Sequence, residues 1–187
     1  MKTMNIAIIS SSVRTGRKSH WVTLYFKNYI ETNKLAVVKI LDLNEYKFPI
    51  FEERLKYQST PDVKVLDFAS EIVSADAVII VTPEYNGGYP ASLKNVIDLL
   101  HPEWKRKPIA LVTVSSGMFG GAQVTTSLLF TLWKIGAWVV PATFPVPKVN
   151  DNFNEIGEAT DKEGTDTRAK KFLEELTWCV DAKSNMK

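Results

Sequence analysis

Val81-Thr82-Pro83-Glu84-Tyr85-Asn86-Gly87-Gly88-Tyr89-Pro90-Ala91-Ser92-Leu93-Lys94-Asn95-Val96-Ile97-Asp98-Leu99-Leu100 carries the chain from a buried strand, through a polar turn, into a helix. The apolar run Ala77-Val78-Ile79-Ile80-Val81 that leads into it reads as a strand covered on both faces. Pro83 ends the run, because proline has no N–H to give to a sheet ladder. Gly87-Gly88 can adopt positive φ and let a planar ligand lie close to the backbone. A helix begins near Pro90, so the turn sits where a strand's carboxyl end meets a helix, the place where open α/β sheets bind ligands.

The same alternation extends in both directions. Ile6 to Ile9 is a continuous apolar run, and Gly16 to about Asn33 has the broad apolar face of a helix, with Trp21, Leu24, Tyr25, Phe26, Tyr29 and Ile30. Leu35–Leu43 reads as a second strand, and Asp62–Ala75 as a helix started by Thr60-Pro61. Strand Ala77–Thr82, helix Pro90–Leu100, strand Ile109–Ser115 and a helix from about Gly120 to Ile135 follow, the last stopped by Gly136. Ala137–Val140 reads as a fifth strand and Thr167–Val180 as a closing helix. Strands separated by helices imply a parallel sheet covered on both faces, since parallel neighbours need crossover connections. Two segments, Asn44–Thr60 and Pro145–Asp166, are irregular, and the second is too long for an ordinary connection.

Bulk properties bound the function. A chain of 187 residues is most simply one domain, 1–187, with 45% hydrophobic and 24% charged residues. A net charge of +2, without a basic block, gives no sign of nucleic-acid binding. No apolar run reaches the roughly 20 residues that span a bilayer, and the N-terminus lacks a signal-peptide core, so no membrane association is expected and the cytoplasm is the expected compartment. One cysteine, Cys179, excludes an internal disulfide and a cysteine-cluster metal site; it reads as a buried small hydrophobe. His20 and His101 make no metal-binding pattern, and no metal is expected.

Two further loops are rich in polar groups. Ser10 to His20 offers hydroxyls from Ser10, Ser11, Ser12, Thr15 and Ser19, and charge from Arg14, Arg17 and Lys18, at the start of a helix. Close-set donors and a helix N-terminus suit a phosphate. The alternative is a set of capping serines beside a solvated basic face. Neither a G-x-G-x-x-G nor a Walker sequence is present. The other loop, Ser115-Ser116-Gly117-Met118-Phe119-Gly120-Gly121, again places glycines and hydroxyls between an apolar strand and a helix. For Gly120 and Gly121 a tight turn or helix start is the competing role. For Glu84 it is a carboxylate flanking the helix Pro90–Leu100, and for His20 a cap or surface residue.

Pro83-Glu84-Tyr85-Asn86-Gly87, Pro90, and Leu93-Lys94-Asn95 with Asp98 resemble the signature of the NADPH-dependent FMN reductase family. Ser12, Arg14, Gly16 and Arg17 resemble that family's G-S-x-R-x-G-R phosphate motif, with Ser11 in place of its glycine. The resemblance implies a flavodoxin-like three-layer sandwich with a five-stranded parallel sheet of order 2-1-3-4-5. It implies that Ser12, Arg14 and Arg17 surround the FMN phosphate, with Ser19 and His20 close by. Pro83, Glu84, Tyr85, Asn86 and Gly87 would meet the ring and ribityl chain, and Ser115, Ser116, Gly117, Gly120 and Gly121 would lie beside the ring. In that strand order the three loops sit side by side at one end of the sheet.

The resemblance further implies an FMN-dependent oxidoreductase taking hydride from NADPH or NADH. Electrons would pass to a small-molecule acceptor such as flavin, quinone or an azo compound. No side chain is assigned as acid, base or nucleophile. A non-enzymatic flavodoxin-type carrier or an FMN-binding module is the alternative; the pI of about 8.5 fits a carrier less well, since such carriers tend to be acidic. The helix Gly120–Ile135 is apolar nearly all round and should be buried, with self-association covering what one sheet face does not. A homodimer or homotetramer is expected. Trp104, Trp133, Trp138 and Trp178 read as core or interface mass.

Overall fold

The computed structural model describes residues 3–186. One five-stranded parallel sheet runs in the order β2-β1-β3-β4-β5, from β1 (Asn5–Ser10), β2 (Val37–Asp42), β3 (Ala77–Pro83), β4 (Pro108–Val114) and β5 (Trp138–Val146). The helices are α1 (Ser19–Thr32), α2 (Leu43–Tyr46), α3 (Val63–Ser74), α4 (Ala91–Leu99), α5 (Ala122–Lys134), α6 (Val149–Asn152) and α7 (Lys162–Asn185). This is the flavodoxin-like arrangement expected from the sequence.

Alternating side chains of the central strands feed two cores. Ile6, Ile8, Ile79 and Val112 meet Phe26 of α1 and Phe172 of α7 on one face. Ala7, Ile9, Ile80 and Leu111 meet Phe68 of α3, Leu93 of α4 and Leu128 of α5 on the other. Strands β1, β3 and β4 have neighbours on both sides, which is why their sequences are unbroken apolar runs. Their register brings Ser10 opposite Val81 and Pro83 opposite Val114, so the three strands end at one level.

Three differences from the sequence reading have physical causes. Strand β5 runs on to Val146 rather than stopping at Val140. Pro141 and Pro145 look like breakers, but β5 lies at the sheet edge and the pairing slips where Ile109 and Leu111 face Val139 and Thr143. The stretch Pro145–Asp166 is partly ordered: it holds α6, a bridge between Phe153 and Ala159, and the first turns of α7. Asp161 starts α7 early by accepting a hydrogen bond from the Gly164 N–H at 3.0 Å. Gly157, at φ +81°, seats this segment on α1, where a Cβ would lie 2.6 Å from the Tyr25 nitrogen.

Helix α5 is the third difference. Val124, Leu128 and Leu132 are buried, but Phe130 and Trp133 are each 67% exposed. Trp178 also faces outward, whereas Trp104 is enclosed and donates its indole N–H to the Ile97 carbonyl at 3.2 Å. Cys179 is buried as expected, and burial pushes its thiol up from the ordinary value.

Lys107 is the one buried lysine among the described residues. Its ammonium donates to the carbonyls of Val73 and Ala75 at the end of α3. Burial first, and then Lys183, lower its pKa to about 8 from 10.5, with Asp76 opposing. Below pH 8 both folded and unfolded chains hold this proton; between about 8 and 10.5 the unfolded chain holds more of it, so stability rises with pH there. Lys107→Met should remove that rise, read as a flatter stability profile from urea denaturation across the same interval.

Candidate functional site

The rim at the carboxyl ends of β1, β3 and β4 begins with the loop from Ser11 to Lys18. Ser12 is buried, and its hydroxyl lies 2.7 Å from the Tyr85 hydroxyl, joining this loop to the one after β3. Arg17 does not reach outward. Its guanidinium grips the Asp42 carboxylate with both terminal nitrogens and donates to the Ser12 carbonyl at 2.9 Å. Asp42 also caps α2 by accepting from the Asn44 N–H at 2.9 Å. His20 Nδ1 stands 3.1 Å from the Ser10 hydroxyl and 3.6 Å from Asp42. Burial and then Arg17 lower its pKa against the pull of Asp42 and Glu45, so the imidazole is mainly neutral at pH 7.

Arg14 is the exposed arginine of this loop. Gly16 turns the chain at φ +69° with open space where a Cβ would be. Ser11 Oγ and Ser19 Oγ are buried without a hydrogen-bond partner. Leaving such a group unpaired costs about 1–3 kcal/mol, so each calls for an explanation. Ser19 begins α1, a helix whose first turn has no acidic residue and whose N-cap makes no side-chain bond. The orphaned Ser19 hydroxyl, a helix N-terminus and the uncommitted Arg14 all border the cleft and make up a donor set that suits a phosphate monoester. The residues present therefore fit the FMN that the sequence motif implies.

The loop after β3 folds back on itself through mutual hydrogen bonds of Tyr85 and Gly88, at 2.8 and 3.0 Å. Asn86 and Gly87 both take positive φ, as a tight two-residue turn demands. Glu84 departs from its expected place. Its carboxylate flanks α5 rather than α4, with Oε2 accepting from the N–H groups of Gln123 at 3.0 Å and Val124 at 3.1 Å. A Cβ on Gly87 would sit 2.7 Å from Gln123 Oε1, so glycine permits this close approach.

In the loop after β4, the Gly117 carbonyl accepts from the Ser115 hydroxyl at 3.1 Å and the Lys148 N–H at 2.9 Å. Gly120 and Gly121 serve packing. A Cβ would meet Pro145 at 2.8 Å or Thr113 at 3.0 Å, and the Gly120 carbonyl accepts from the Thr113 hydroxyl.

These loops enclose a cleft of about 320 Å³. Of the expected residues, Arg14, Arg17, Ser19, Pro83, Glu84, Tyr85, Ser115 and Ser116 line it. Ser12 and His20 lie beneath the first loop, while Asn86, Gly87, Gly117, Gly120 and Gly121 shape the loops without lining the cleft. Sequence reading missed Val149 and Asn150, which close one side from α6, and Asp42, which anchors Arg17. Asn150 lies in the segment whose length had already marked it, whereas a single aspartate at a strand end carried no signal. Hollows of about 510 Å³ under residues 48–62 and 410 Å³ between α1 and α7 are larger, but neither gathers residues from the three loops.

Comparison with known proteins gives the family of the chain. The chain is 36% identical over 138 residues to the NAD(P)H-dependent FMN reductase LOT6 of Saccharomyces cerevisiae, a match covering 67% of this chain and 71% of that one. It is 39% identical over 92 residues to a quinone reductase of Pseudomonas putida, covering 46% of each. Among solved structures, the flavoenzyme NAD(P)H:(acceptor) oxidoreductase FerB from Paracoccus denitrificans superposes with a TM-score of 0.76 at 23% identity, covering 96% of this chain and 98% of that one. The family model for NADPH-dependent FMN reductase matches residues 4–151, a span that holds all three loops and the cleft, and the chain belongs to that family.

Proposed function

We propose that residues 1–187 form one FMN-binding domain whose cleft serves an NAD(P)H-dependent oxidoreductase with quinone, flavin or azo acceptors. Family membership supports the reaction class and its cofactors. The single observation that supports the location is the buried, unpartnered hydroxyl of Ser19, which lines the cleft at the start of α1.

In this reading Ser19, Arg14 and the backbone N–H groups leading into α1 take the phosphate. Ser12 and Arg17 act one step back: Ser12 braces Tyr85, and Arg17, neutralised by Asp42, fixes the loop's shape. Pro83, Tyr85, Ser115 and Ser116 flank the ring and ribityl chain, with Asn86, Gly87 and Gly117 setting the curvature of their loops. FMN held by these residues would supply the two-electron redox chemistry between NAD(P)H and the acceptor. The protein contributes orientation and a partly dry wall, and no side chain is required to move a proton. Hydride acceptance followed by delivery to a small electrophile needs an open cleft mouth, and the exposed Met118 and Phe119 stand on the loop beside it.

The outward face of α5 supports self-association. Phe130 and Trp133 are in ring contact at 5.8 Å yet mostly exposed, a pairing that a second copy would cover. Among the described residues no helix is long and apolar enough to cross a membrane.

Added FMN should acquire a shifted visible spectrum, and anaerobic NADPH should then bleach it. Binding without bleaching would instead favour a carrier. Ser19→Ala should weaken FMN binding by roughly tenfold, the loss of one hydrogen bond to a charged group. The ligand-free variant should be at least as stable as the parent, because an unpaired buried hydroxyl is removed; a drop in stability with intact FMN affinity would show that Ser19 serves the fold alone. Light scattering at micromolar concentration should give at least twice the 21.1 kDa chain mass.

A further inference from the structure

Helix α5 begins without a cap of its own. Gly121 occupies the N-cap in left-handed conformation, at φ +81°, and makes no side-chain bond to the helix. The need is met from another loop, where one oxygen of Glu84 accepts from both the Gln123 and Val124 N–H groups. Gln123 in turn lies over Gly87, so the loops after β3 and β4 are latched at two points. A neutral oxygen would satisfy the same two donors. Glu84 adds a full negative charge at the positive end of α5, where the helix dipole would otherwise favour an anion.

We infer that Glu84 is a positioning residue that holds these two loops in register and cancels the positive end of α5, so that the cleft binds the oxidised form of its cofactor in preference to the electron-rich reduced form. The inference rests on the proposed placement of FMN. Glu84 belongs to the cleft wall together with Pro83, Tyr85, Ser115 and Ser116, which bracket the ring in that placement. Two-electron reduction increases the electron density of the ring and favours an anionic form, and a fixed carboxylate nearby opposes that change by Coulomb repulsion. Weaker binding of the reduced form makes it a stronger donor to an acceptor.

Glu84→Gln separates charge from geometry, because its amide oxygen can keep both hydrogen bonds. The full chain and its variants are titrated with oxidised FMN and, anaerobically, with dithionite-reduced FMN. In E84Q the affinity for oxidised FMN should stay within about twofold, while that for reduced FMN tightens by about tenfold, on the scale of one partly screened unit charge. A tenfold change in the ratio equals a rise of about 30 mV in the bound couple. Glu84→Ala should weaken both forms and lower the apoprotein melting temperature by about 2–4 °C, whereas E84Q melts like the parent. An unchanged ratio in E84Q, or loss of oxidised FMN binding with normal melting, would overturn the inference while leaving the proposed function intact. Failure of the parent chain to bind FMN would overturn both.

Discussion

Asp42 is the carboxylate on which the rim of this sheet is assembled. It ends the edge strand β2, caps α2, holds both terminal nitrogens of Arg17, and stands beside His20. A carboxylate only 4% exposed is tolerated when its charge is matched and its oxygens are hydrogen-bonded, and here both conditions are met. The arginine is then committed in turn. It reaches back to the Ser12 carbonyl, and Ser12 braces Tyr85 on the next loop. A chain of polar contacts thus runs from an edge strand, through Arg17, to Tyr85 on the loop after β3.

That chain explains a division among side chains of the same type. Arg14 and Arg17 are three residues apart in one loop, yet one is exposed at the cleft and the other is an internal strut. Glu84 likewise spends its carboxylate on α5, although the residue lines the cleft. Arg17 and Glu84 fix the loops, and Arg14, hydroxyls and backbone are left to meet a ligand. Such an arrangement suits a flavin, whose polar edge is read by short neutral donors and acceptors and whose phosphate needs concentrated positive potential only at one end.

The buried strands, the helix faces and the three polar loops at the strand ends were legible because they depend on local periodicity and on turn chemistry. Pro83 and the glycines after it mark a strand end whatever lies around them. What sequence could not supply were pairings across 25 to 40 residues, such as Arg17 with Asp42 and Glu84 with Gln123 and Val124. An arginine in a phosphate-like motif gives no sign, in the sequence, of the distant carboxylate with which it pairs. The edge position of β5, which excuses Pro141 and Pro145, is likewise a property of topology. The outward Phe130 and Trp133 show a related limit: apolar periodicity identifies a face that needs cover, but not what covers it.

Two of the helices that open onto the rim, α1 and α5, are treated in opposite ways, and this bears on how a ligand lies across it. At the start of α1 there is no acidic residue in the first turn and no side-chain cap, and a buried hydroxyl stands unpaired. At the start of α5 a carboxylate from another loop occupies the donors. Both helices exceed twelve residues, so both have a dipole worth answering. Neutralising one and sparing the other leaves the α1 end more positive than the α5 end. An elongated molecule with a dianion at one end and a planar, largely neutral ring at the other has one favourable direction in such a field. Reversed, it would set its phosphate against Glu84 and leave the Ser19 hydroxyl unpaired. In the proposed placement of FMN, the asymmetry of these two helix ends therefore favours one orientation of the ligand independently of any contact to the ring.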